Sequence, residues 1–312
     1  MDSLDRDGGL RSATSREGES SERVRPRLKG GPAAQARQDW PEGRPPVAFL
    51  DSGIGGLPYL ASTRSLLPGE RYVYAVDREN FPYGEKSADQ VVHAICSLAG
   101  RMIERENPRL VVVACNTASV VALGELREKF PLPFVGVVPA VKPAAALSKR
   151  RRVGVLATRQ TVEGEYLRSL SQEHASGCTV VTLPAAGLVD FVEQTMERCT
   201  PEEKTARVRT EVERFRDAGI DALVLGCTHF LHLEHEFRRL LSDEGIELVD
   251  SRAGVARQVQ RLLRNADSLP GGNGSSAPAG GSDALYVTGA SPIEDRYRYF
   301  ASRFGLRLAG VL

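Results

Sequence analysis

Two stretches decide how this chain is read: Leu110-Val111-Val112-Val113-Ala114-Cys115-Asn116-Thr117-Ala118-Ser119 and Ala222-Leu223-Val224-Leu225-Gly226-Cys227-Thr228-His229. Each is an aliphatic run that stops at a cysteine followed by small polar residues. A short run of this content predicts a strand covered on both faces, as in parallel sheets. A helix is expected to open after each cysteine. Ligands of open α/β sheets collect at the carboxyl ends of strands, so both thiols are expected at a ligand site. A single cysteine there would read as a small packed hydrophobe. Two at equivalent points of a repeated pattern point to a symmetric pair of reactive groups.

Working outward, strands are predicted at 47–50, 72–76, 110–114 and 134–137, with helices ending near 67, over 87–106, to 129 and over 139–147. The cycle restarts with strands at 152–157, 178–183, 222–226 and 246–249. Helices are expected between them at 161–173, 187–197, 201–218 and 233–241. A helix through 263, a strand at 285–288 and a final helix at 293–304 follow. This alternation predicts an α/β fold, with two pseudo-symmetric parallel-sheet α/β domains and the active site in the cleft between them. The first domain is expected from 46–140 plus 248–312 and the second from 141–247. Residues 1–45 are rich in Arg, Glu, Ser, Gly and Pro and read as a disordered extension. Residues 268–282 read as a flexible insertion.

The composition narrows the function class. The 312 residues are 41% apolar and 26% charged with a formal net charge of +1, which calls for neither nucleic acid nor an anionic membrane surface. No apolar run approaches the roughly 20 residues that span a bilayer, and the N-terminus lacks the apolar core of a signal peptide. Five cysteines without regular spacing argue against a disulfide framework, so a reducing, cytoplasmic location is expected. The basic run Lys149-Arg150-Arg151-Arg152 reads as a solvated connection.

Asp51-Ser52-Gly53-Ile54-Gly55-Gly56 follows the first strand. Its glycine spacing is not that of a dinucleotide fingerprint, and no Walker lysine follows. A backbone nest there could hold a carboxylate, with Asp51 placed for proton handling or for an ammonium group; the alternative is a tight turn alone. Cys115 and Cys227, each at a helix start, are expected to have lowered thiol pKa values. The neighbours Asn116, Thr117, Thr228 and His229 could bind carboxylates without charge of their own. Cys96, Cys178 and Cys199 read as packing residues.

Asp51-Ser-Gly-Ile-Gly-Gly56, Phe81-Pro-Tyr-Gly-Glu-Lys-Ser87, Ala114-Cys-Asn-Thr-Ala-Ser119 and Leu225-Gly-Cys-Thr-His229, in this order, resemble the glutamate racemases of the cofactor-independent aspartate/glutamate racemase superfamily. The resemblance covers about residues 46–309. It implies interconversion of L- and D-glutamate without cofactor or metal, supplying D-glutamate for peptidoglycan. It implies Cys115 and Cys227 as the two acid/bases, Asp51 assisting the first, and His229 with Glu193 assisting the second. Ser52, Pro82, Tyr83, Gly84, Asn116, Thr117, Thr158, Thr161 and Thr228, together with Asp51 and His229, fall at its substrate-binding positions. Family members are often homodimers. The chain departs from the family pattern at Phe230-Leu231, where an aromatic residue and proline are usual, and at Leu183-Pro184, where cysteine commonly precedes proline.

Three other readings stay open on the residues. Cys227, His229, His232 and His235 lie close enough in sequence to raise a zinc site, although three-residue steps drift around a helix. His232 and His235 otherwise read as solvated helix positions. A non-catalytic amino-acid-binding protein could use the same cleft. Aspartate racemase, or a relative acting on another activated acid, would use the same mechanism. A pyridoxal enzyme is disfavoured because no lysine falls at a strand end.

Overall fold

Val47–Asp51 forms strand β1, and it is buried along its whole length because strands bond to it on both sides. β2 (Tyr72–Val76) and β3 (Leu110–Val113) both run parallel to it, with Val47 opposite Tyr72 on one side and Leu110 on the other. Val47 and Phe49 enter one apolar cluster while Ala48 and Leu50 enter another. That period-two division over a continuously apolar run is what covering helices on both faces require. The computed structural model describes residues 45–267 and 282–312. The expected disordered extension over 1–45 and flexible insertion over 268–282 lie, but for Pro45 and Ser282, outside the described residues.

The first sheet is completed by β4 (Phe134–Gly136), and the second begins with β5 (Arg152–Ala157) and continues through β6 (Thr179–Pro184), β7 (Ala222–Leu225) and β8 (Glu247–Val249). β9 (Ala284–Val287) and β10 (Arg307–Val311) return to the first sheet. The orders are β10-β9-β2-β1-β3-β4 and β6-β5-β7-β8, and every pairing is parallel. The described residues belong to one compact unit.

Helices cross between the strands. In the first half these are α1 (Leu57–Leu66), α2 (Ala88–Glu106), α3 (Asn116–Lys129) and α4 (Val141–Leu147). In the second they are α5 (Arg159–Glu163), α6 (Glu165–Ala175), α7 (Ala186–Asp190), α8 (Pro201–Glu213) and α9 (Glu234–Ser242). α10 (Arg252–Asp267) and α11 (Asp295–Arg303) complete the set. Ser87 caps α2 in a reciprocal box with Gln90, the hydroxyl accepting the Gln90 amide and the Gln90 side chain accepting the Ser87 amide.

The two central strand pairs match. Leu50 is opposite Val113 and Leu156 is opposite Leu225, and each pair is followed by the same bond: Ala114 N–H to Leu50 O, and Gly226 N–H to Leu156 O, both 2.7 Å. Cys115 and Cys227 therefore leave their sheets at equivalent points.

The sequence reading missed β10. Arg307-Leu-Ala-Gly-Val311 is a half-exposed edge with a bulge between Leu308 and Gly310, and Gly310 sits at φ +113°, so its apolar alternation is broken. The helix expected over 161–173 is two helices, parted at the extended Gly164. The helix expected over 187–197 passes from α7 into a π-helical turn at Phe191–Thr195 and a 3-10 turn at Met196–Arg198. After Cys227 a 3-10 segment, Thr228–Leu233, takes the place of the expected α-helical opening. Strand β8 extends to Val249 and pairs with β7.

Candidate active site

Cys115 and Cys227 line one cavity between the carboxyl ends of the two sheets. Cys115 caps α3, and Cys227 precedes the 3-10 segment. Ser52, Pro82, Tyr83, Gly84, Asn116, Thr117, Thr158, Thr228 and His229 share the lining, as do Glu85, Val189 and Asp190. Asp51, Glu193 and Thr161 are buried behind it.

Each thiol has its own proton partner. Asp51, fully buried at the end of β1, shares a hydrogen bond with Cys115 and accepts the Ser52 amide at 2.7 Å. Burial pushes its carboxyl up to about 6, against the pull of nearby His229. The lowered pKa expected of Cys115 is not found: burial drives the thiol well above its ordinary value, and the Asp51 charge adds to this. The Ala118 amide at the start of α3 opposes the rise, but desolvation outweighs that helix-end contribution.

Cys227 Sγ lies 3.9 Å from His229 Nδ1, and His229 Nε2 lies 3.0 Å from Glu193 Oε2. Burial alone would lower the imidazole pKa. The hydrogen bonds and charges of Cys227 and Glu193 outweigh it and hold the imidazole well above its usual value. Glu193 sits in the π-helical turn, an irregularity often found at functional sites.

Part of the glycine turn grips an internal carboxyl group, while Ser52 of the same turn lines the cavity. Ile54 N–H donates to Glu193 Oε2 at 2.9 Å. The glycines permit close approach: a Cβ on Gly53 would fall 2.4 Å from Glu193 Oε2, and one on Gly55 2.4 Å from His229 Nδ1. Gly56 N–H donates to the Tyr74 hydroxyl, which donates to Gly53 O at 2.9 Å.

The polar lining includes an orphan. Neither Oδ1 nor Nδ2 of buried Asn116 has a hydrogen-bond partner among the described residues, an arrangement suited to a ligand with both donors and acceptors. The Thr117 and Thr158 hydroxyls lie 3.3 Å apart, and Thr158 caps α5 by accepting the Thr161 amide. The Tyr83 hydroxyl donates to Asp77 at 2.6 Å, which anchors its loop at the wall of the cavity.

The zinc reading does not match the placement of the imidazoles. Among the described residues no group of three or more His, Cys, Asp or Glu could hold a metal ion. His232 Nε2 meets Ile54 O at 2.9 Å, and the ring lies edge-on to Phe300 and Phe304. His232 is thus half-buried, not the solvated position expected, and burial lowers its pKa to about 3. His235 is exposed. Among the described residues no helix is long and apolar enough to cross a membrane.

Sequence reasoning passed over Tyr74, Asp190 and Tyr297. The usable signal was a tyrosine inside a predicted buried strand, whose hydroxyl must find a partner. Tyr297 carried no such signal, because its helix alternates charged and aromatic residues.

The family profile for Asp/Glu/hydantoin racemases matches residues 59–259. A glutamate racemase of Treponema pallidum is 39% identical over 267 residues, spanning 85% of this chain and 96% of its own. One from Klebsiella pneumoniae is 44% identical over 223 residues, spanning 71% and 78%. The crystal structure of Escherichia coli glutamate racemase with L-glutamate and the activator UDP-MurNAc-Ala superposes with a TM-score of 0.75 at 36% identity, covering 86% of this chain and 98% of that one.

Proposed function

The chain belongs to the Asp/Glu/hydantoin racemase family, and we propose that it interconverts L- and D-glutamate by a two-thiol mechanism without cofactor. The observation that carries this reading is a pair of cysteines from equivalent strand ends of two sheets lining one cavity, each with its own proton partner. One thiolate takes the α-proton, forming S–H as the C–H electron pair stays on the α-carbon. The opposite thiol gives its proton to the other face, leaving a thiolate there. A single base would return the proton to the face it left. Turnover exchanges the protonation states of the two thiols. Asp51 would return the proton state of Cys115, and the His229–Glu193 pair that of Cys227. Asn116, Ser52, Thr117, Thr158 and Thr228 would hold the carboxylates and ammonium group through neutral donors and acceptors, with the loop at Pro82, Tyr83 and Gly84 closing over them. Thr161 would support Thr158.

The two sheets would belong to two domains, 46–140 plus the C-terminal segment and 141–249, whose relative closure excludes water. The second boundary follows β8 into its sheet. The D-glutamate would supply peptidoglycan synthesis in the cytoplasm, with the chain working as a homodimer.

Circular dichroism of L-glutamate incubated with the protein tests the reading, with L-aspartate and an EDTA-treated sample in parallel. Decay of the glutamate signal to zero, unaffected by EDTA, is expected. Decay with aspartate alone would change the substrate, and no decay with folded protein would remove the racemase reading.

A further inference from the structure

Behind the His229–Glu193 pair lies Tyr297 of α11, which is not part of the cavity lining. Its hydroxyl lies 3.3 Å from Glu193 Oε1, on the carboxylate edge opposite Ile54 and His229. The direction of this bond is fixed from behind. Arg296 Nη2 lies 3.3 Å from the same hydroxyl and can only donate, so the tyrosine accepts from arginine and gives its own proton to Glu193. The Arg296 guanidinium also covers the Tyr297 ring at 4.9 Å from its centroid. Tyr297 and Glu193 are only 1% and 2% exposed, so water cannot readily replace a lost donor.

The same helix supports the other donor to Glu193. Phe300, and Phe304 just beyond the helix end, flank His232, whose ring bonds Ile54 O while Ile54 N–H bonds Glu193 Oε2. α11 therefore reaches Glu193 twice, directly through Tyr297 and indirectly through His232 and Ile54.

Resting on the racemase reading above, we infer that Tyr297 is a positioning residue, whose hydroxyl fixes the Glu193 carboxylate in the orientation that holds the His229 imidazole against Cys227. Without it, Oε1 loses a donor in a buried setting. The carboxyl group is then free to turn from His229 Nε2, and the imidazole loses a contact that holds its pKa up.

The test is Tyr297→Phe, which keeps the packed ring and removes one oxygen, with near-ultraviolet circular dichroism and melting checked against wild type. The kcat for glutamate should fall about tenfold with KM changed less than about twofold, because the residue lies off the cavity. In the ligand-free protein, the His229 imidazole followed by 15N NMR should titrate at lower pH than in wild type. Combined with Glu193→Gln, the change should cost nothing further, since both act through one carboxylate. Wild-type kcat in the Tyr297→Phe protein would overturn the inference, as would losses that multiply in the double variant. Should the wild type itself fail to racemise glutamate, the racemase reading falls, and an unchanged His229 titration would still overturn the role of Tyr297.

Discussion

The Thr228 hydroxyl donates to Asp51 Oδ2 at 3.2 Å, so the residue that follows one thiol is bonded to the carboxyl that holds the other. The two halves of the site are thus tied to one carboxyl group across the sheets. Replacing Thr228 with Val keeps the shape and removes that donor from the Asp51 carboxylate. Losing a hydrogen bond to the charged form raises an acid's pKa. The limb of the pH–rate profile that reports Asp51, near pH 6 in the wild type, should move upward. An unmoved limb would show that the bond is idle in catalysis.

Asp51 also sets a cost on stability. Burial raises its pKa from 3.8 to about 6, so the folded state holds its proton more tightly than the unfolded chain. Its stability contribution is complete below pH 3.8 and is lost as pH rises through about 6. A rise of this size corresponds to at most about 3 kcal/mol. Asp51→Asn should therefore melt higher than wild type near neutral pH and show little difference in acid, while racemising far more slowly. Equal melting at both pH values would contradict the buried-carboxylate account.

Cys115→Ser replaces the thiol with a poor acid of similar size. Racemisation should fall by about 10³-fold or more in both directions with the melting temperature nearly unchanged, because in the proposed mechanism each direction uses both thiols. Steady-state rates from each enantiomer check this, and ordinary turnover would remove Cys115 from the chemistry.

Gly55 is needed for space. A Cβ there would sit 2.4 Å from His229 Nδ1 and 2.6 Å from Thr228 Oγ1. Gly55→Ala should displace the imidazole, lower kcat by about 10²-fold or more, and destabilise the fold by about 1–3 kcal/mol. Wild-type kcat would mean that the imidazole position is not critical.

Much of this architecture was legible because both-face burial leaves a plain mark, and β2, β3, β7 and β1 up to Asp51 are built of apolar and aromatic residues for that reason. The edge strands β4, β6 and β8 were legible too, but β10, with Arg307, Gly310 and a bulge, was invisible. The cysteine-centred residues named from sequence converge on one cavity, because they sit at strand ends that parallel topology gathers together. Three features depended on tertiary contact and could not be read locally. Burial reversed the pKa direction expected of Cys115. The glycine turn proved to grip Glu193 from 139 residues away, and Tyr297 reached the same carboxylate from the C-terminal helix.

The most direct test of the two-thiol claim is the position of label at early turnover. L-glutamate is incubated with the protein in D2O, and both enantiomers are separated and weighed by mass spectrometry before much conversion. The D-glutamate formed should carry one α-deuterium, because the donating thiol has exchanged with solvent, while the remaining L-glutamate should stay almost unlabelled. Product that keeps the original α-hydrogen, or substrate that gains deuterium as fast as product forms, would point to one base serving both faces and contradict the two-thiol mechanism.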